Sequence, residues 1–231
     1  MDKLVNRSVF RKMIKLIDGE IGRTLRKANN KYKYSKKFTG RDHILSMLFL
    51  QVSNCNGLRD IDCKYRKSSR LAKDFKMPSY SQLSRLNKNK SVDIFSYIFE
   101  ELLGKAEKEI KSPINMKNFH DIKIIDSSMI CIGKGLAPNL YYQEKDSAVR
   151  ISTLLSYGTK LPTKITIVPA KIGERTCIVN YVSDKKSIYL FDKGYSKYSW
   201  YDEMTTKQIR FITRQHSNTG TEEYIKVQIP E

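Results

Sequence analysis

The chain changes texture near its middle, and that change limits the folds open to it. Over the first hundred-odd residues apolar positions recur with helical spacing. Beyond "KSPINMKN" (Lys111 to Asn118) they gather into short runs rich in Ile, Val, Leu and Thr, separated by turn residues. In the helical half, "TGRDHILSMLFLQ" opens with Thr39 and Asp42 in capping-box spacing and is ended by Cys55-Asn56-Gly57. A second helix begins after Pro78, with Ser79 and Gln82 in the same spacing. The clearest amphipathic helix runs from about Ser91 to Ile110. Its predicted core stripe is Phe95, Ile98, Phe99, Leu102, Leu103, Ala106 and Ile110. Past the break, strands are predicted at Ile122 to Asp126, Ala148 to Gly158 and Thr163 to Ala170, and the gap "YGTKLP" is of hairpin length. A helix from Glu174 to about Val182, the strand "SIYLFD", a helix through "YSWYDEMTTKQ" and the strand "IRFITRQ" follow. "TEEYIKVQIPE" opens a further strand, which the reading treats as cut short. The class is α/β: a helical region over 1–77, a helical connector over 78–118, and a mixed β-sheet domain with flanking helices over 119–231.

Charge narrows the partners. The 231 residues carry 43 Lys+Arg against 24 Asp+Glu, a formal net of +19. A field that basic favours a polyanion, nucleic acid before an anionic membrane, although a basic cytosolic protein has the same composition. No apolar run reaches the ~20 residues of a spanning helix. The best, "ILSMLFLQV" (Ile44 to Val52), is short and flanked by Arg41, Asp42 and Arg59. The N-terminus, "MDKLVNRSVFRKMIKL", lacks the apolar core of a signal peptide. Cys55, Cys63, Cys131 and Cys177 form no CxxC pair and the three histidines, His43, His120 and His216, are scattered. This argues against a zinc site or disulfide framework and for a reducing cytoplasm.

In "KYRKSSRLAKDFK" (Lys64 to Lys76), Lys64, Arg66, Lys67, Arg70 and Lys73 are candidate phosphate contacts; a solvated basic face reads equally well. Gln82, Arg85 and Asn87 could reach base edges from the helix after Pro78, which could also be an ordinary capped helix. "NKYKYSKK" (Asn30 to Lys37) interleaves tyrosine with lysine, as a linker or a backbone-contacting segment.

Two acids stand at predicted strand ends: Asp126 in "IKIIDSSMI" and Asp192 in "IYLFDKGY". Singly, each could form a turn, pair with a cation or ligate a metal. As a pair at neighbouring strand exits, they could hold hard divalent cations through oxygen. Two such ions about 3.5–4 Å apart serve phosphodiester chemistry.

Taken together, "FTGRDHILSMLFLQVSNCNGLRDID", "PSYSQLSRLNKNK", "IKIIDSSMI", "AVRISTLLSYGTKLPTKITIVPAK" and "SIYLFDKGY" resemble the bacterial insertion-sequence transposases of the insertion sequence four family, in the family's order. The resemblance implies a ribonuclease-H-like DDE domain over 119–231. It further implies Mg²⁺ (or Mn²⁺) dependence and cleavage and transfer of DNA strands at element ends. Double-stranded DNA, as terminal repeats and target, would be the partner. A homodimer on DNA and a cytoplasmic, nucleoid-associated location follow by the same resemblance, with no membrane role. Asp126 resembles the first catalytic acid, with Ser128 where Thr is usual, and Asp192 the second, with Lys193 replacing Arg before Gly194 and Tyr195. Gly194 would let the backbone turn tightly, and Lys193 would contact DNA. The family's third acid, a Glu in a Tyr-Arg-Glu-Lys type signature, has no match; Glu222, Glu223 and Glu231 stand in the wrong context. Ser152 and Ser156 replace a His and an Asp found in many members, and "IVPAKIGER" lacks a further His-Asp pair. The expectation is a truncated transposase. The alternatives are a non-catalytic DNA-binding remnant or inhibitor of transposition, and a simple metal-dependent nuclease.

Overall fold

The computed structural model describes residues 2–27, 38–67, 70–90, 92–110, 119–133, 137–143, 146–195 and 197–216. They fall into two compact units, Met1–Ala106 and Glu107–Glu231. The segment 30–37, the predicted boundary at 111–118 and the strand predicted within 221–231 lie outside the described residues.

The first unit is helical: α1 (Asp2–Lys27), α2 (Gly40–Val52), α3 (Leu58–Arg66), α4 (Tyr80–Asn89) and α5 (Asp93–Glu109). The capping box forms as the spacing predicts. Thr39 Oγ1 accepts from the Asp42 N–H at 3.1 Å, and Asp42 Oδ2 accepts from the Thr39 N–H at 3.1 Å. The other Asp42 oxygen accepts from the Lys76 N–H at 2.9 Å, so one buried carboxylate both starts α2 and anchors the segment leading to α4. Ser79 caps α4 through the Gln82 N–H. Phe10, Phe49 and Phe75 pack at ring separations of 5.3–6.2 Å in the unit's core.

The α5 stripe is corrected. Ile94 and Ile98 are its buried positions, with Phe95 and Leu102 packed against the core, while Ile110 lies beyond the helix and is exposed. Helical spacing alone fixes the period of a stripe, and the neighbouring helices choose its centre.

His43 on α2 is buried; its Nε2 meets Asn87 Oδ1 at 2.7 Å and its ring stands edge-on to Phe95. Burial holds its pKa below the ordinary 6.5; the Asn87 hydrogen bond opposes this and Lys90 adds to it. The folded state therefore binds the proton less readily than the unfolded chain. His43's contribution is complete above the unfolded pKa of about 6.5 and is lost as pH falls through it towards the folded value. Between those values, stability of this unit should fall with a slope of up to about 1.4 kcal/mol per pH unit from this group. Urea titrations followed by far-UV circular dichroism between pH 5 and 8 should show a shallower acid limb in His43→Gln. An unchanged limb would remove His43 as its source.

The second unit is a six-stranded mixed sheet: β1 (Asp121–Gly133), β2 (Tyr141–Gln143), β3 (Asp146–Ser156), β4 (Pro162–Pro169), β5 (Ser187–Phe191) and β6 (Arg210–Thr213). The order is β2-β3-β1-β5-β6, with β4 also on β3. β1, β3 and β4 are antiparallel, as the hairpin-length gap predicts, and β1, β5 and β6 are parallel. The helix α6 (Glu174–Ile178), continued by a 3-10 turn at Val179–Tyr181, and α7 (Tyr198–Thr206) flank the sheet. Ile178, Trp200 and Met204 from these helices pack against Ile125, Leu154, Tyr189 and Phe191. Tyr189 and Phe191 point into that core while Leu190 between them is exposed, the alternation of a half-buried strand. The result is the α/β class expected, a helical N-terminal region followed by a mixed sheet, consistent with a ribonuclease-H-like fold. β2 is a strand the sequence does not announce, three residues whose pairing is decided by the β3 edge beside them.

Candidate active site

β1 and β5 run parallel in register, and their last paired residues are Ile125 and Phe191. Asp126 and Asp192 are the next residues along each chain, at the point where the parallel β1–β5 pairing ends. Adjacent strands lie about 5 Å apart. Ligand sites of open α/β sheets favour this end. Asp126 is not the end of its own strand, which corrects the expectation. β1 continues to Gly133 against β3, where Asp126 faces Thr153. What ends beside Asp126 is β5, so the acid stands where the sheet loses a neighbour on one side.

β6 adds a third position. Thr213 pairs with Phe191, and the following residue, Arg214, places Nη2 2.7 Å and Nε 3.2 Å from Asp192 Oδ1. The Arg214 guanidinium, helped by the Lys193 backbone N–H, holds the Asp192 carboxyl below its usual range. Both aspartates are exposed. Arg214 was not singled out from the sequence, because only the register of β6 against β5 brings it there.

After Asp192 the chain makes a 3-10 turn at Lys193–Tyr195, closed by the Tyr195 N–H donating to Asp192 O at 3.1 Å. The tight turn expected at Gly194 is present, and it forms without a positive φ. The glycine's missing side chain admits a neighbour, since a Cβ there would lie 3.3 Å from Glu174 Oε2. Ser127, directly after Asp126, points to the opposite face of β1 and donates to Glu174 Oε1 at 3.2 Å. Ser152 and Ser156, where many transposases of the resembled family carry larger polar residues, are buried.

The residues read as nucleic-acid contacts fall into different situations. Lys64 and Arg66 are ion-paired along α3 with Asp60 and Asp62. Lys64 also donates to Ser53 O and Asn54 O, the carbonyls at the end of α2. Lys67, Arg70 and Lys73 are exposed, as are Gln82 and Arg85 on α4. The Asn87 amide is turned toward α2, meeting His43 and, at 3.5 Å, Met47 Sδ. Lys193 is exposed beside Asp192 in the second unit.

Among the described residues no group of three or more His, Cys, Asp and Glu is arranged to hold a metal ion. Asp126 and Asp192 supply two carboxylates, donors suited to a hard divalent cation and not to zinc bound through sulfur or imidazole. No helix among the described residues is long and apolar enough to cross a membrane.

Residues 117–229 match the family described as "Transposase DDE domain", and residues 5–73 match a "Domain of unknown function (DUF4372)". The chain is 23% identical over 145 residues to a Sinorhizobium fredii (strain NBRC 101917 / NGR234) protein named "Putative transposase y4zB". That match covers 62% of this chain and 39% of the relative, so the chain spans well under half of the protein it matches. A transposase DDE domain over the sheet unit, an accompanying helical domain and a transposase-named relative together support a DDE-type insertion-sequence transposase.

Proposed function

We propose that this chain is part of a DNA transposase that cleaves and transfers DNA strands at the ends of an insertion sequence, in the insertion sequence four branch. The observation that carries the reading is the parallel register of β1 and β5, which sets Asp126 and Asp192 side by side where β5 stops. In this reading both residues are catalytic acids and ligands for Mg²⁺, with Mn²⁺ as substitute. When bound, the ions would make water or a 3′-hydroxyl a better nucleophile and stabilise charge on the leaving oxygen. The residues' own task is to fix two carboxylates at a set spacing, because such catalysis is largely positioning and charge stabilisation.

Double-stranded DNA, both terminal repeats and target, is the partner in this proposal. Lys67, Arg70, Lys73, Gln82 and Arg85 offer free cationic or polar ends on the first unit, and Lys193 stands at the acids. Lys64, Arg66 and Asn87 reach DNA in this reading only by leaving the partners described above. The division into 1–77, 78–118 and 119–231, a homodimer on DNA and a cytoplasmic, nucleoid-associated location complete the proposal. Its finer part is that no third acid is assigned among these 231 residues.

The test pairs the purified chain with duplexes drawn from the DNA flanking its coding region. Salt-sensitive binding is expected, without Mg²⁺-dependent strand transfer. A longer chain that supplies a third acid should transfer strands, and Asp126→Ala should abolish this. Strand transfer by the 231 residues alone, lost in Asp126→Ala, would overturn the missing acid. Cleavage without regard to the ends would indicate a nuclease instead. End binding with no activity in any extended form would favour a DNA-binding remnant or inhibitor.

A further inference from the structure

The heaviest investment of buried charge in the second unit lies behind the two acids, on the opposite face of the sheet. Arg150, in the middle of β3, is only 8% exposed. A guanidinium that deep needs partners. Its Nη1 pairs with Glu174, the first residue of α6, and reaches Ser127 Oγ at 3.4 Å, while Nη2 donates to Ala170 O at 3.5 Å. Ser127 Oγ donates to the same Glu174 oxygen, Oε1, at 3.2 Å. The second oxygen, Oε2, lies against Gly194, close enough that a Cβ would meet it at 3.3 Å.

These contacts converge on the two backbones that carry the acids. Ser127 follows Asp126, and Gly194 lies two residues after Asp192, inside the turn closed on Asp192 O. One carboxylate, held by one buried guanidinium, is therefore hydrogen-bonded to Ser127 and fills the space a side chain at Gly194 would need. An ion pair serving only to satisfy Arg150 would need neither the Ser127 hydroxyl nor the close approach at Gly194.

We infer that Arg150 and Glu174 are positioning residues, which set the spacing of Asp126 and Asp192 by tying Ser127 and the Lys193–Tyr195 turn to a single side chain. The inference rests on the proposed reading of Asp126 and Asp192 as the catalytic acids. Groups that orient a ligand from behind act on affinity without touching the ion, by roughly 10–100-fold when lost.

The test uses the full chain and three variants: Glu174→Gln, Ser127→Ala and Gly194→Ala. Amide hydrogen exchange is read at Tyr195, whose N–H closes the turn after Asp192, and at Tyr189 in the centre of the sheet as a reference. Mn²⁺ affinity is measured by calorimetry. The expected result is faster exchange at Tyr195 with Tyr189 unchanged in Ser127→Ala and Gly194→Ala, and Mn²⁺ affinity lower by about 10-fold. Glu174→Gln should act more strongly; if it does not fold, the other two decide. Exchange rising equally at Tyr195 and Tyr189, or not rising at Tyr195 in either small variant, would overturn the inference. Absence of Mn²⁺ binding in the unaltered chain would count against the metal reading of the acids, and the exchange ratio would still decide the positioning role.

Discussion

Tyr189→Ala should unfold the sheet unit at a much lower urea concentration, with a loss of about 3–5 kcal/mol. Tyr189 has no exposed surface and occupies β5, the strand between β1 and β6. Its ring fills the core shared with the flanking helices. Its hydroxyl accepts from the Ser183 and Asp184 N–H groups at 3.2 and 2.9 Å, which fixes the loop entering the strand. Truncation therefore removes a large apolar contact and leaves two backbone donors without their acceptor. Tyr189→Phe isolates the second effect and should lose about 1–3 kcal/mol. Trp200 is the chain's sole tryptophan and packs 5.0 Å from Phe191, so its fluorescence follows this unit and not the helical one. Equal midpoints for Tyr189→Ala and the unaltered chain would mean that the packing described for β5 is wrong.

Asp192→Ala and Asp126→Ala should each lower Mn²⁺ affinity by more than the ~10–100-fold typical of losing an outer hydrogen-bond partner. With one carboxylate gone, a single acid remains at the end of the β1–β5 pairing, and a hard cation loses one of its two carboxylate ligands. Neither substitution should move the Trp200 urea midpoint much, because both side chains are exposed. Calorimetric titration of Mn²⁺ into the three proteins checks this. If either alanine variant binds as tightly as the unaltered chain, that aspartate is no ligand, and the neighbouring register of the pair is structural only.

Several features were legible before any fold was known, and each rests on local chemistry. Thr39 and Asp42 announced the start of α2, because a capping box involves only groups three residues apart. The apolar run in "SIYLF", ending at Asp192, announced β5. The α5 stripe was legible as to period but not as to centre, since Ile94 is selected by what packs beside it. Lys64 stands out in the sequence as a candidate phosphate contact, and that its ammonium also closes the end of α2 was not legible there. The carbonyls it meets come from a turn ten residues earlier, and composition carries no trace of them.

The sequence by itself determined the helix-then-sheet order, the basic field and the two aspartates, because each is written in residue type, short spacing or total charge. Only the tertiary structure decided that Asp126 and Asp192 stand side by side, that Arg214 pairs with Asp192 and that Arg150 and Glu174 lie behind the two acids. Those neighbours come from strands and helices roughly 20 to 90 residues apart in the chain. Strand pairing is a long-range choice made by burying whole faces at once, so no window of sequence contains it.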